Sequence, residues 1–144
     1  MPNAYILNIY CDGGARGNPG PAACAFVVVD PRGQTLYEQG QYLGITTNNQ
    51  AEYQGVLIAL HWLVHNYPGL PQAQFHLDSQ LVVNQLNGLW KTKDITLQQK
   101  VIEVHKLLGR LDQLKIRNFK YIPRSLNYRA DLLVNQTLNT SSSK

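Results

Sequence analysis

The residues from Ile6 to Gly14, ILNIYCDGG, constrain the fold more than any other stretch of this 144-residue chain. Apolar side chains dominate as far as Cys11, which is typical of a strand covered on both faces. Asp12 ends the apolar run, and the glycines that begin at Gly13 predict a sharp turn. A carboxylate at the end of a buried strand is costly unless a cation meets it, although an Asp that caps a turn through its own backbone explains the same pattern.

The composition is that of an ordinary globular domain with a basic surface. A chain with 44% hydrophobic and 15% charged residues is not disordered, and 144 residues can form one core. The net charge of +4 favours a polyanionic partner. Cys11 and Cys24 lie in apolar runs, so we expect buried free thiols in a reducing compartment. Because no secretion signal and no apolar run of about 18 residues is present, we expect a cytoplasmic protein without membrane contact.

Apolar periodicity and chain breakers predict one mixed α/β domain with the element order βββαβααβα. The predicted strands are 6–11, 22–30, 34–43, 74–78 and 115–122, and the predicted helices are 51–66, 80–87, 95–114 and 127–138. We expect Asn48 or Asn49 to cap the first helix and Ser79 to cap the second. The domain is predicted to span residues 1–139, followed by a flexible polar tail at 140–144.

Four acids stand at the ends of predicted elements. Asp12 and Asp78 end the first and fourth strands, whereas Glu52 and Asp131 lie in the first turns of the first and last helices, on the side of the apolar residues. Turn capping and the helix dipole explain each position separately, but not why both helix acids face the core. If the four converge, oxygen-liganded Mg²⁺ or Mn²⁺ ions would relieve their repulsion, and two such ions would suit phosphodiester hydrolysis.

Four segments resemble, in the same order, the acidic motifs of the ribonuclease H type I family: YCDGGARGNPGPAACAF, TTNNQAEYQGVLIAL, LDSQLVVNQL and NYRADLLVN. The resemblance covers residues 3–138 and implies the ribonuclease H-like fold, a mixed five-stranded sheet flanked by helices. It implies that Asp12, Glu52, Asp78 and Asp131 are the catalytic acids and hold two Mg²⁺ or Mn²⁺ ions. The implied activity is that of a monomeric endonuclease that cuts the RNA strand of RNA–DNA hybrids, leaving 5′-phosphate and 3′-hydroxyl ends.

The same resemblance implies a set of substrate contacts. The residues that match minor-groove and RNA 2′-hydroxyl contacts of the family are Gly13, Asn18, Asn48, Asn49 and Gln80, and Thr47 matches a residue near a DNA phosphate. A role in the turn explains Asn18 without a substrate, and helix capping explains Asn48 and Asn49. The two kinds of role are compatible, so both stay open.

The chain departs from many members of the family in two places. Only LWKTK (residues 89–93) stands between the second and third helices, where many members carry a basic protrusion. Trp90, Lys91 and Lys93 would hold the DNA strand there by stacking and phosphate contact, unless Trp90 is buried and the lysines are merely solvated. The loop before the last acid lacks the histidine of many members. Arg124 would handle a phosphate in that loop but cannot act as a general base.

The four histidines of the chain lie outside the acidic motifs. His61 and His65 have a spacing that suits a metal, but without further ligands a polar helix face is favoured, and we expect His76 to be packed.

Integrases, transposases and junction resolvases share the fold but differ in their motifs. A catalytically silent module that binds hybrids or RNA is the alternative from another class, and the presence of all four acids argues against it. Activity on double-stranded RNA stays open.

Overall fold

The computed structural model describes residues 6–67, 72–111 and 119–142 of the chain. The elements are β1 (Leu7–Ala15), β2 (Gly20–Val29), β3 (Thr35–Thr46), α1 (Asn48–Asn66), β4 (Ala73–Leu77), α2 (Gln80–Leu86), α3 (Ile95–Gly109), β5 (Phe119–Tyr121), a 3₁₀ turn (Arg124–Asn127) and α4 (Tyr128–Ser142). This confirms the predicted fold class and element order. None of the helices in the described ranges is long and apolar enough to cross a membrane.

The five strands form one mixed sheet in the order β3-β2-β1-β4-β5. β1, β2 and β3 pair antiparallel, and β4 pairs parallel with β1 and β5. Tyr10 of β1 lies opposite His76 of β4, and Asp12 and Asp78 each follow two residues later. Because side chains alternate along a strand, this register aims both acids to the same face of the sheet, side by side.

Helices cover both faces of the sheet. On one face, α1, α2 and α3 enclose the main core, in which Cys11, Phe26 and Phe75 of the strands pack with Val56 and Leu60 of α1. On the other face, α4 packs its buried Val134 and Leu138 against Ala23 and Ala25 of β2. β2 is thus covered on both faces, which explains its nearly continuous run of buried apolar residues.

The sharp turn predicted after Asp12 is wrong, because β1 continues through this acid to Ala15. Gly13 and Gly14 pair with residues of β2, so the backbone hydrogen bonds of the sheet outweigh the local preference of glycine for turns. The turn lies further on, at Gly17, whose φ of 92° requires a residue without a side chain.

Helix ends differ from the prediction in several places. Thr47 caps α1, its hydroxyl accepting a hydrogen bond from the Gln50 amide at 3.2 Å, so the predicted caps Asn48 and Asn49 are wrong and lie inside the helix. The predicted cap at Ser79 is confirmed. Because a Thr side chain satisfies the free amide, the first turn begins one residue earlier than an asparagine cap would allow.

The last third of the chain differs in its boundaries. α3 ends at Gly109 rather than at residue 114, and residues 115–118 of the predicted last strand lie outside the described residues. α4 continues to Ser142, so residues 140–142 are helical and not part of a frayed tail. The hydroxyl of Thr140 points back along the helix and donates to the Gln136 carbonyl at 2.9 Å.

Two glycines allow α1 to lie directly against β1. A Cβ atom added at Gly13 would lie 2.5 Å from the backbone nitrogen of Glu52, and one added at Gly55 would lie 2.7 Å from the Asp12 carbonyl oxygen. Real Cβ atoms do not approach backbone atoms so closely, so both positions require glycine. The contact brings the first turn of α1, with Glu52, beside the strand that carries Asp12.

We expect Gly13→Ala to destabilise the fold by about 3 kcal/mol or more, because the added methyl group forces α1 away from β1. Gly109→Ala is the matched control, since no atom of the described residues lies within 4 Å of a Cβ added at this position in α3. We expect this control to change the free energy of unfolding by no more than about 1 kcal/mol. Urea unfolding of both variants measures the difference, and equal stabilities would contradict the close contact.

Candidate active site

Three of the four predicted acids meet beside the central strand. One carboxylate oxygen each from Asp12, Glu52 and Asp78 lies within 4.8 Å of the others. Asp12 and Glu52 are buried, with exposed fractions of 2% and 8%, and Asp78 is half-buried. In the part of the chain that the structure describes, no other group of three His, Cys, Asp or Glu side chains converges in this way.

The fourth acid, Asp131, lies on the rim of the same cavity. It stands in the first turn of α4, half-buried, while Val134 and Leu138 on the same side of the helix pack against the sheet. The cavity measures about 500 Å³ and is lined by all four acids. Arg16 and Arg124 also line it. The arrangement combines a dense negative cluster with two cations at its border.

Burial and mutual repulsion disfavour the charged forms of the clustered acids. Burial raises the pKa of Asp12 to about 7, and the nearby charge of Asp78 adds to this rise. Burial, followed by the charges of Asp12 and Asp78, raises the pKa of Glu52 well above its ordinary value. The pKa of Asp78 is raised by burial, against the opposing effects of Asn127 and Arg124. Without a cation, the cluster therefore cannot carry its full negative charge at neutral pH.

Two buried carboxylate oxygens have no hydrogen-bond partner in the described part of the chain. Among the described residues, Oδ1 of Asp12 and Oε2 of Glu52 are enclosed without a donor. A buried acceptor without a partner is costly, and a bound cation removes that cost. The donor set consists only of oxygens, which suits hard ions such as Mg²⁺ and Mn²⁺ rather than softer metals. The residues present therefore fit a divalent metal site.

Asn127 fixes the position of Asp78 and was missed in the sequence. Its side chain is fully buried, and Nδ2 donates to the Cys11 carbonyl at 2.9 Å and to Oδ2 of Asp78 at 3.1 Å. The amide thereby ties Asp78 to β1 and leaves the other carboxylate oxygen for a ligand. In the sequence, Asn127 indicated only a helix start, because nothing local reveals a contact with residues 49 and 116 positions away.

Asn18 and Asn48 form a small network at the β1–β2 turn. Oδ1 of Asn48 accepts from the Ala15 amide at 2.8 Å, and Oδ1 of Asn18 accepts from the Asn48 amide at 3.0 Å. Both side-chain carbonyls are therefore used by the backbone, which orients the two NH₂ groups as donors. Asn48 and its neighbour Asn49 line the cavity of the acids, whereas Asn18 supports them from the turn.

The other residues that were predicted to contact the substrate lie in different parts of the fold. Gly13 is buried under α1, Thr47 caps that helix, and Gln80 is exposed in the first turn of α2, outside the lining of the cavity. Trp90 is 49% exposed and its neighbours Lys91 and Lys93 are exposed too, so the alternative of a buried tryptophan is wrong. These three residues belong to segment 87–94, which connects α2 to α3 and contains no helix.

The histidines do not contribute to the acid cluster. Nδ1 of His65 donates to the His61 carbonyl at 2.8 Å, and Nε2 of His61 lies 3.9 Å from a carboxylate oxygen of Glu103, which agrees with a polar helix face. His76 is packed as expected, with its ring stacked on Tyr10 at a centroid distance of 4.6 Å. Burial, followed by the charge of Lys120, lowers the pKa of His76 to about 4.

Comparison with known proteins agrees with this geometry. The profile of the family described as "Reverse transcriptase-like" matches residues 10–137. A ribonuclease HI of Halobacterium salinarum is 40% identical over 133 residues, covering 92% of this chain and 64% of the relative. A ribonuclease H of a Cyanothece species is 34% identical over 126 residues, covering 83% of this chain and 78% of the relative.

Solved structures show the same similarity. The crystal structure of LC11 ribonuclease H1 in complex with an RNA/DNA hybrid has a TM-score of 0.86 to this chain at 39% sequence identity, covering 94% of this chain and 98% of the other. The similarity thus extends over nearly the whole chain. The chain belongs to the ribonuclease H type I family.

Proposed function

We propose that the protein is an endoribonuclease that hydrolyses the RNA strand of RNA–DNA hybrids, using two Mg²⁺ or Mn²⁺ ions and leaving 5′-phosphate and 3′-hydroxyl ends. The observation that carries this proposal is the convergence of Asp12, Glu52 and Asp78, two of which have a buried oxygen without a hydrogen-bond partner among the described residues. The similarity to enzymes named ribonuclease H, one of them in complex with a hybrid, supports the substrate. The presence of the fourth acid on the same cavity argues against a silent binding module.

The four acids would hold the ions, with Asp131 joining the cluster from the rim. When bound, two divalent ions supply an activated water and charge stabilisation for the leaving oxygen in phosphodiester hydrolysis. Asn127 donates to Oδ2 of Asp78, so Oδ1 of this carboxylate would remain for a metal ion. Arg124 lies close enough to Asp78 to lower its pKa, and its guanidinium suits a phosphate of the substrate.

The asparagine network at the β1–β2 turn would recognise the minor groove of the hybrid. That groove presents base-edge acceptors and 2′-hydroxyls, and the NH₂ groups of Asn18 and Asn48 are oriented as donors by their occupied carbonyl oxygens. Asn49 and Gln80 would add contacts along the groove. Gly13 would serve chiefly by admitting α1, and Thr47 by placing the helix start near a phosphate.

The exposed segment after α2 would bind the DNA strand. Trp90 offers a ring for stacking, and Lys91 and Lys93 offer charges for phosphates. The backbone amides of Leu89 and Trp90 both donate to the Asn84 carbonyl, at 2.8 and 3.1 Å, so the beginning of the segment is fixed to α2. A fixed segment loses less entropy when it binds.

We further propose that the enzyme works as a monomer in the cytoplasm. The location is supported by Cys11 and Cys24, which are free and buried in the structure. The cluster of acids is complete within one chain, so cleavage needs no second copy. Double-stranded RNA is a second substrate to test, because its minor groove also presents 2′-hydroxyls.

We expect Asp12→Asn to lower the cleavage rate by about 1,000-fold or more, because it removes a metal ligand with little change in shape. The measurement is cleavage of a labelled RNA–DNA hybrid, double-stranded RNA and double-stranded DNA in Mg²⁺, Mn²⁺ or EDTA, with circular dichroism to establish folding. Glu38→Gln, on the exposed strand β3, is the matched control and should cleave like the wild type. Binding of the hybrid without cutting by the wild type in either metal would contradict the proposal.

The stability of the metal-free protein should depend on pH through the ionisation of Asp12. The pKa of Asp12 is about 4 in the unfolded chain and about 7 in the folded protein, because burial disfavours the charged form. The free energy of unfolding is therefore highest at low pH and falls as the pH rises from about 4 to about 7. Asp12→Asn removes this loss of stability. In EDTA we expect the variant to melt about 5 °C above the wild type at pH 7.5, with the difference vanishing towards pH 4.

Thermal melting of both proteins between pH 4 and 8 tests this dependence, and Glu38→Gln again serves as the control without a shift. Addition of Mg²⁺ should raise the melting temperature of the wild type more than that of Asp12→Asn, because only the wild type has the complete set of ligands. A difference in melting temperature that stays constant with pH would contradict the claim that ionisation of the buried Asp12 lowers the stability of the wild type.

Asn48→Asp tests the donor role of the asparagine network. The new carboxylate can still accept from the Ala15 amide, so the turn is retained, but the NH₂ donor becomes an anion that repels the hybrid. We expect KM to rise about 10- to 100-fold with stability nearly unchanged. Asn48→Ala loses both functions and should lower the melting temperature as well. Equal KM values for Asn48→Asp and the wild type would exclude a substrate donor at this position.

A further inference from the structure

Arg16 is exposed, but both its backbone amide and its guanidinium donate hydrogen bonds within the protein. Its backbone amide donates to the Pro21 carbonyl at 2.8 Å and closes the β1–β2 turn. Its guanidinium Nη2 donates to Oδ1 of Asn139 at 2.6 Å, which connects the turn to the last part of α4. An exposed arginine normally samples many rotamers, so a contact of this kind keeps the guanidinium in one place.

The charge of Arg16 stays available to an anion. Asn139 is a neutral amide, and Arg16 takes part in no ion pair within the described residues. The hydrogen bond to Asn139 uses one of the five N–H donors of the guanidinium. Phosphate oxygens are acceptors that match the planar fork of the remaining donors.

The position of Arg16 separates it from the metal ligands. It lines the same cavity as the acids, but its partner Asn139 lies eight residues beyond Asp131 on α4, which corresponds to about 12 Å along the helix axis. Arg124 borders the cavity beside Asp78 instead. The two guanidinium groups therefore suit two different phosphates of one bound nucleic acid.

We propose that Arg16 binds a backbone phosphate of the hybrid away from the scissile bond, and that Asn139 is the positioning residue that holds its guanidinium for this contact. This inference rests on the proposed function, because it takes the hybrid as the ligand of the cavity. It also assigns a role to the end of α4, which carries no metal ligand. A prepositioned cation improves binding of the substrate without entering the chemical step.

The test compares Arg16→Gln with the wild type in hybrid cleavage at several salt concentrations. We expect KM to rise about 5-fold with kcat changed less than about 2-fold, and the salt dependence of log KM to lose about 0.7 to 0.9 units of slope, the contribution of one phosphate contact. Arg16→Lys keeps the charge without the fork, so it should restore the salt slope and only part of the affinity. A purely structural hydrogen bond would not respond to salt in this way.

Asn139→Ala should raise KM about 2-fold while the salt slope is retained, and it should have no further effect in Arg16→Gln, because the two residues act through one contact. Arg32→Gln is the matched control. This exposed arginine lies in the β2–β3 turn, beyond the pairing of Val29 with Asn8 and thus at the end of the sheet opposite to the acids. The control should match the wild type in KM and in salt slope.

The outcomes separate this inference from the proposed function. If the wild type cleaves the hybrid and Arg16→Gln behaves like Arg32→Gln, the phosphate contact is refuted while the proposed activity stands. If the wild type does not cleave, binding of the labelled hybrid in EDTA replaces kinetics. A weaker, less salt-dependent binding by Arg16→Gln then supports the contact although the proposed activity has failed, and unchanged binding refutes both.

Discussion

The contact between α1 and β1 determines where the acids meet. Gly13 and Gly55 let the helix backbone touch the strand backbone, which leaves Glu52 beside Asp12 at the start of the helix. The parallel register of β4 adds Asp78 from the other side. Each acid is thus positioned by the backbone of a regular element rather than by a flexible loop, and such elements hold a site more accurately. The site is a consequence of how the sheet and its first helix pack.

Bringing the acidic side chains together lowers the stability of the fold. Burial is the main cause of the raised pKa values of Asp12 and Glu52, and the repulsion between neighbouring carboxylates adds to it. The cost is tolerated because apolar cores on both faces of the sheet stabilise the same strands. Asn127 relieves part of the cost at Asp78 by donating a hydrogen bond. A bound cation relieves the rest, so the binding of metal and the stability of the fold are coupled.

The sequence was sufficient for features that depend on local pattern. Apolar periodicity gave the order of elements, and the inward side of Glu52 and Asp131 followed from their spacing to apolar neighbours. Features that depend on distant partners were not predictable. β1 extends beyond Asp12 because β2 pairs with its glycines, and Thr47 caps α1 while the side chain of Asn48 binds the Ala15 amide, 33 residues away. No local propensity records such tertiary contacts.

The flexible tail was predicted at residues 140–144 from their polar composition, but α4 continues to Ser142. Polar composition indicates only that a segment has no apolar face to bury, and it does not reveal a tertiary contact such as the hydrogen bond that Asn139, just before these residues, accepts from Arg16, 123 residues earlier. Neutral amides recur in this protein as partners of residues that line the cavity: Asn127 binds Asp78, Asn48 binds the Ala15 amide, and Asn139 binds Arg16. Because an amide fixes a side chain without adding or cancelling charge, these residues orient the site while its electrostatics remain set by the acids and arginines alone.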